Sequence, residues 1–351
     1  MAVSKFVELF EEKLKKNNMG ETFSFNDYLN ELNTLTPTKD ISKLGLAYDL
    51  TDEEIFDYSK ECILRNLINN TDFKKESKFS LEIIFKVYEF MKKTTYSPDL
   101  LAESFILLHS SKCNGKWHNF KAFFEHFDCH IVKREDFEYY DELKSLFESI
   151  LKIDYFKSTV IDSVKNLYAK ADFNFSHLEL VMLNCGLESL LGFAGKNKIY
   201  VNVQQFLHIK KNRRFKWFLD EEKNIVFNLE FIRLIFHETV HVVLRSNTKD
   251  LNSSSPFLDK KKPQQPIISE KDLLELGLKT EIKVFHGLLN LLDSFETGEL
   301  NVPLCAQFVE DFLANKQVDF NLEKSQCKTF RELDFLKMAL DYRPRESKRF
   351  F

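Results

Sequence analysis

The chain has 351 residues, of which 44% are hydrophobic and 30% charged, and its formal net charge is −4. This balance is typical of a globular protein with one large or two ordinary domains, and the net charge argues against nucleic acid or an anionic membrane as a partner. Residues 1–18 are amphipathic and charged, unlike a secretory signal, and no uncharged apolar run approaches the roughly 18 residues of a membrane span. Six cysteines without a C-x-x-C pair argue against a zinc ribbon or a thioredoxin motif. We therefore expect a cytoplasmic protein with reduced thiols.

Residues 1–150 are predicted to form a helical N-terminal region, whose role the sequence does not indicate. Apolar residues recur there at helical spacing, over residues 55–68, 81–91, 100–108 and 139–151. Ser97 followed by Pro98 is typical of an N-cap and a first helical residue.

The pattern changes near residue 172, where short and partly alternating runs are separated by Gly186, Gly192 and Gly195. The runs are FNFSHLELVMLN, LLGFAG and KIYVNV, and they predict strands of a small β-sheet. We therefore expect an α+β, mostly helical protein, with a second domain over residues 151–351.

A helix that carries two histidines is predicted next, over residues 228–246 with Asn228 as its N-cap. His237 and His241 are four residues apart, which puts both imidazoles on one helix face. Glu238 points about 100° away, within reach of a metal-bound water. H-E-x-x-H with these roles is typical of zinc hydrolases, in which the glutamate is the general base. The alternative is a core helix whose two histidines are satisfied by hydrogen bonds.

A third metal ligand is expected after the long polar segment 247–268, on a helix predicted to begin at Ser269 with a capping box. In a helical projection Glu281 falls in the middle of an apolar stripe, where a carboxylate is costly unless it is paired or bound to metal. Gly277, one turn earlier, would let this helix approach the histidine helix closely. Glu275 lies about 120° from Glu281, so one regular helix cannot present both to one ion.

The projection favours Glu281 over Glu275 as the ligand. Two alternatives stay open. In the first, Glu281 is a buried partner of Arg233 or Arg245. In the second, the glutamate that does not bind the metal orients a ligand histidine.

H-E-T-V-H at residues 237–241 followed by E-L-G-L-K-T-E at residues 275–281 resembles the zincin metallopeptidases, and among them the gluzincins and a subgroup of uncharacterised putative zincins. The resemblance covers residues 195–290. It implies a zincin-like domain, a zinc cofactor, a peptide or protein substrate, and an edge strand, at KIYVNV, that holds the substrate. The thermolysin, aminopeptidase and metzincin signatures are missing.

The resemblance also implies a His or Tyr that stabilises the oxyanion, for which His286, His208 and Tyr342 are candidates. A rival hypothesis is a binding or scaffolding protein with a degenerate zincin-like fold and no turnover.

Overall fold

The computed structural model describes residues 7–8, 11–12, 50–70, 87–111, 129–186, 190–211, 215–253, 275–316 and 318–330. The chain divides into two compact units, Met1–Phe127 and Asp128–Phe351. This boundary lies before the predicted one near residue 150. The reason is that helix Tyr140–Ile150 buries Leu143 and Phe147 in the core of the second unit.

The described part of the first unit contains helix α1 (Asp52–Asn70) and helix α2 (Pro98–Ser111), which pack against each other. Ser97 Oγ accepts a hydrogen bond from the Leu100 N–H at 3.2 Å, so the predicted cap is confirmed. The helical pattern predicted within residues 1–18 falls almost entirely outside the described residues.

The second unit is α+β, as predicted. Its strands are β1 (Cys129–Ile131), β2 (Glu179–Cys185), β3 (Gly192–Ala194) and β4 (Lys198–Asn202). Its helices are α3 (Tyr140–Ile150), α4 (Asp154–Lys165), α5 (Val203–Lys211), α6 (Asp220–Thr248), α7 (Leu276–Phe285), α8 (Leu291–Glu296), α9 (Val302–Leu313) and α10 (Leu322–Ser325). Among the described residues, none of the helices has the length and apolar character that crossing a membrane requires.

The four strands form one mixed sheet in the order β1-β2-β4-β3. β2 and β4 are parallel, whereas β1 and β3 pair antiparallel with their neighbours. The three runs that predicted strands therefore contain β2, β3 and β4. KIYVNV is not the edge, however: β4 lies inside the sheet, and β3 is the edge strand beside it. Local alternation identifies a strand but not its neighbours in the sheet, so this strand order could not be predicted from the sequence.

Helix α6 is the centre of the second unit, and α3, α4, α5, α7, α8, α9, β3 and β4 all contact it. It is buried on nearly all sides between Val226 and Arg245, as expected of a helix enclosed by other elements. Its predicted start at Asn228 was wrong, because the helix begins at Asp220. Glu222 Oε2 accepts the Leu219 N–H at 2.8 Å, and the acidic first turn complements the helix dipole.

Phe236, directly before His237, anchors α6 among aromatic rings from three other helices. Its ring centroid lies 4.9 Å from that of Phe156, 6.3 Å from that of Phe285 and 5.7 Å from that of Phe312. Aromatic pairs in this range contribute about 0.5–1.5 kcal/mol each beyond the burial of their area. The backbone that carries the two histidines is therefore held by packing about 100° around the helix from His237.

Candidate metal site

Helix α6 brings His237 and His241 together on one face, as their spacing predicts. The two ring centroids are 5.3 Å apart. The His241 side chain is 6% exposed and the His237 side chain 18% exposed, so the pair is largely removed from water.

Glu275 lies between the two imidazoles. Its Oε1 is 2.7 Å from Nε2 of His237, and its Oε2 is 2.9 Å from Nε2 of His241. One ligand atom from each of these three residues lies within 4.8 Å of the others, so the group could hold a metal ion. Two imidazole nitrogens and one carboxylate oxygen are a ligand set that zinc favours in catalytic sites.

The preference for Glu281 as the third ligand is reversed by this geometry. The projection assumed one regular helix through both glutamates. Instead, α7 begins at Leu276, and Glu275 precedes it with extended backbone angles, φ −65° and ψ 164°. Since Glu275 is outside the helix, its side chain is free of the helical spacing and turns toward the histidines. The predicted helix start at Ser269 lies outside the described residues.

Glu281 is fully buried and bonds to two partners, one through each carboxylate oxygen. Its Oε1 is 2.7 Å from Nδ1 of His237, and its Oε2 accepts from Arg233 at 2.7 Å. The pairing with Arg233 that the sequence left open is therefore present, and Glu281 also contacts a histidine. Contact with Nδ1 is the arrangement in which a carboxylate orients a ligand histidine without binding the metal itself.

The charges of this cluster reinforce one another. Burial raises the pKa of Glu275, but the two histidines outweigh it and hold that pKa well below the ordinary value of 4.5. Burial lowers the pKa of His237, but Glu275 and Glu281 outweigh it and hold that pKa well above 6.5. For Glu281, burial is likewise outweighed by Arg233 and His237, and its pKa is lowered. Without a metal, ion pairs therefore hold His237 to both glutamates.

Glu238 is buried next to the histidines without a partner for one of its oxygens. Its Oε1 lies 4.0 Å from Nε2 of His237, and its Oε2 has no hydrogen-bond partner among the described residues. Burial raises its pKa. A buried carboxylate oxygen without a hydrogen-bond partner lowers the free energy of unfolding. Glu238 therefore destabilises the fold at a position where its free oxygen could contact a ligand.

Gly277, on α7, lies directly against the His237 ring of α6. A Cβ added at Gly277 would lie 2.6 Å from Cδ2, Cε1 and Nε2 of His237, well inside any real contact. Only glycine therefore leaves room for the imidazole, which explains a residue that otherwise weakens a helix. The close approach predicted from Gly277 is confirmed. The donor set of His237, His241 and Glu275, with the Glu238 carboxyl group beside it, fits a metal ion.

The two oxyanion candidates that lie among the described residues make contacts away from the His237–His241–Glu275 group. His286 has a left-handed backbone, with φ 58°, and its Nε2 lies 2.5 Å from Oδ1 of Asp319 on the surface. The His208 ring packs edge to face on Phe215. Tyr342 lies outside the described residues. The sequence analysis did not identify Glu230 as the partner of Arg233. The two residues are three apart on one helix, a spacing that indicates an ion pair.

Searches of protein-family models, of curated proteins and of solved structures found no match to this chain.

Proposed function

We propose that this protein is a zinc-dependent hydrolase, and that its substrates are peptides or proteins. The observation that carries the proposal is the placement of Glu238, a buried carboxyl group with an unpartnered oxygen, beside a His237–His241–Glu275 group that could hold a metal ion. A metal that only stabilised the fold would not need a buried carboxyl group at that position.

His237 and His241 would hold the zinc through Nε2, and Glu275 through a carboxylate oxygen. Bound zinc supplies a water whose pKa is lowered toward about 7 and polarises the substrate carbonyl. Glu238 would serve as the general base of such a site, holding on its carboxylate a proton taken from the water and passing it to the leaving group.

The edge strand β3 supports an extended peptide as the substrate. The Asn202 N–H donates to Leu191 O at 2.9 Å, and the Gly195 N–H donates to Lys198 O at 2.8 Å. In an antiparallel pair these bonds alternate along the strand, so the main-chain groups of Gly192 and Ala194 face away from β4. A peptide strand added along that edge would meet the main-chain N–H and C=O of Gly192. At Ala194, which is 2% exposed, the carbonyl oxygen already accepts a hydrogen bond from Arg245.

Helix α6 contacts the same strand on both sides of its histidines. A Cβ added at Gly192 would lie 3.2 Å from Cδ2 of Leu234, and Arg245 donates to Ala194 O at 2.5 Å. A substrate strand beside β3 would therefore run past the His237–His241 pair, which is the arrangement that peptide cleavage requires.

The experiment that tests the proposal combines metal analysis with hydrolysis. The purified full chain and Glu238→Gln would be analysed for zinc by elemental mass spectrometry and incubated with a mixture of unstructured peptides. We expect about one zinc per chain in both proteins, and cleavage products, detected by mass spectrometry, from the wild type alone. Equal cleavage by Glu238→Gln would refute the role of Glu238.

The alternative is a binding or scaffolding protein without turnover. It is favoured by the same bridging contacts of Glu275, since a cluster that is internally paired can stabilise the fold without metal. A wild-type protein that takes up no zinc, even when zinc is supplied, would support this alternative and overturn the hydrolase.

A further inference from the structure

A row of buried charges continues from the candidate zinc site into the protein. The role inferred for it below rests on the proposed function, because it requires a bound zinc ion. Glu230, Arg233 and His237 follow one another on the same face of α6, at spacings of three and four residues. Glu281, from α7, lies between Arg233 and His237. None of these residues except His237 would bind the metal.

Arg233 is held by a two-point contact with Glu230. Its Nε lies 3.0 Å from Glu230 Oε2, and one terminal nitrogen lies 2.5 Å from Glu230 Oε1. Its other terminal nitrogen donates to Glu281 Oε2 at 2.7 Å. A planar guanidinium bound at two points has little freedom to rotate, so the direction of this third N–H is set.

The direction of that N–H decides how Glu281 faces His237. With one oxygen fixed by Arg233, the plane of the Glu281 carboxylate is set, and its second oxygen lies 2.7 Å from Nδ1 of His237. The carboxylate therefore accepts the Nδ1–H, and Nε2 on the opposite side of the ring is directed toward Glu275. Removing the guanidinium would allow the carboxylate to turn and the imidazole with it.

We propose that Arg233, held by Glu230, is a positioning residue of the zinc site, which acts through Glu281 to fix the orientation of His237. The Arg233–Glu230 pair contributes no net charge to the neighbourhood of the metal. Loss of an outer partner of this kind weakens metal binding by about 10–100-fold.

The test measures zinc affinity in the full chain by competition with a chromophoric chelator. The double variant Arg233→Met/Glu230→Leu removes the Arg233–Glu230 pair as a unit, so neither of these two charges is left without the other in the core. Glu281 then loses its Arg233 partner and keeps its contact with Nδ1 of His237. We expect it to bind zinc about 10–100-fold more weakly than the wild type. Arg233→Lys keeps a cation near Glu281 but loses the fork, so its affinity should lie between the two. Cobalt-substituted protein should show an altered visible absorption spectrum in the double variant, which a general loss of stability in a folded protein would not produce.

Lys60→Met is the control for the loss of a buried cation, because Lys60 is 3% exposed, donates to Lys93 O and belongs to the first unit. We expect its zinc affinity and cobalt spectrum to match those of the wild type. Wild-type affinity and spectrum in a folded double variant would overturn the inference. If the double variant does not fold, Arg233→Lys decides the question alone: affinity equal to that of the wild type counts against positioning. A wild type that binds zinc without hydrolysing peptides overturns the proposed activity and leaves this inference standing.

Discussion

Glu281 Oε1 lies 2.7 Å from Nδ1 of His237. An ionised carboxylate only accepts hydrogen bonds, so Nδ1 carries a proton, and Nε2 is the nitrogen that can offer an electron pair to a metal once its own proton is released. This one contact separates the two glutamates of the E-L-G-L-K-T-E segment: Glu281 orients the histidine, while Glu275 lies on the side where a metal would bind.

The first prediction concerns these two glutamates. Glu275→Ala should leave the protein without zinc after dialysis, because one of three ligands is removed. Glu281→Gln should keep zinc but bind it about 10–100-fold more weakly, because it leaves the three ligands in place and changes the shared partner of His237 Nδ1 and Arg233. Elemental mass spectrometry gives the zinc content, and chelator competition gives the affinity.

Glu310→Gln, an exposed position on α9, is the control for the loss of a carboxylate and should behave as the wild type. The opposite pattern, with zinc lost in Glu281→Gln and kept in Glu275→Ala, would restore Glu281 as the ligand.

The second prediction concerns Gly277. Gly277→Ala should lower both zinc affinity and the free energy of unfolding, although alanine favours a helix by about 1 kcal/mol over glycine. The reason is that the added methyl group would lie 2.6 Å from three atoms of the His237 ring, which Glu275 and Glu281 hold in place. Lys279→Ala, an exposed position on the same helix, should change neither. Chemical denaturation and zinc titration measure the two quantities, and unchanged zinc binding in Gly277→Ala would contradict the close approach.

The third prediction concerns the cost of keeping Glu238 in the core. In zinc-free protein, Glu238→Gln should unfold at a higher denaturant concentration than the wild type, because the buried carboxylate is replaced by a neutral group. The folded pKa of Glu238 is raised above its ordinary value of 4.5, so its folded state holds the proton at pH values where the unfolded state releases it. The wild type therefore loses stability relative to the variant as pH rises from about 4.5 through the folded pKa, by about 1.4 kcal/mol per unit of the raised pKa.

Urea denaturation of both proteins in the presence of a metal chelator, repeated across this pH range, measures the difference between their free energies of unfolding. A difference that is the same at every pH would show that Glu238 titrates no differently in the folded and unfolded states.

The fourth prediction concerns the exchange of protons for metal. Because Glu275 and Glu281 hold the pKa of His237 well above 6.5 despite its burial, this ring is protonated at neutral pH in zinc-free protein. Zinc needs the lone pair of Nε2, so binding should release about one proton from His237 at pH 7. Calorimetric titration with zinc in two buffers of different ionisation enthalpy measures the release. Binding heats that do not depend on the buffer would show that His237 is already neutral.

Several features of this protein follow from its sequence alone, because they are local. The period of apolar residues along α6 places His237 and His241 on one face, whatever surrounds the helix. Short alternating runs separated by glycines identify β2, β3 and β4. Gly277 in the middle of an apolar stripe indicates a close approach between helices, since glycine is otherwise unfavourable there.

The tertiary structure alone decided which glutamate faces both histidines. That choice depends on where α7 begins, and a helix start is set by packing and capping as much as by periodicity, so a projection through Glu275 was misleading. It also depends on Arg233, which occupies one oxygen of Glu281. Pairing across two helices has no sequence period, and the same is true of the sheet order that puts β3 rather than β4 at the edge. Residue types and spacings thus predicted a metal site on α6, whereas contacts between elements distant in sequence assigned each side chain its place in it.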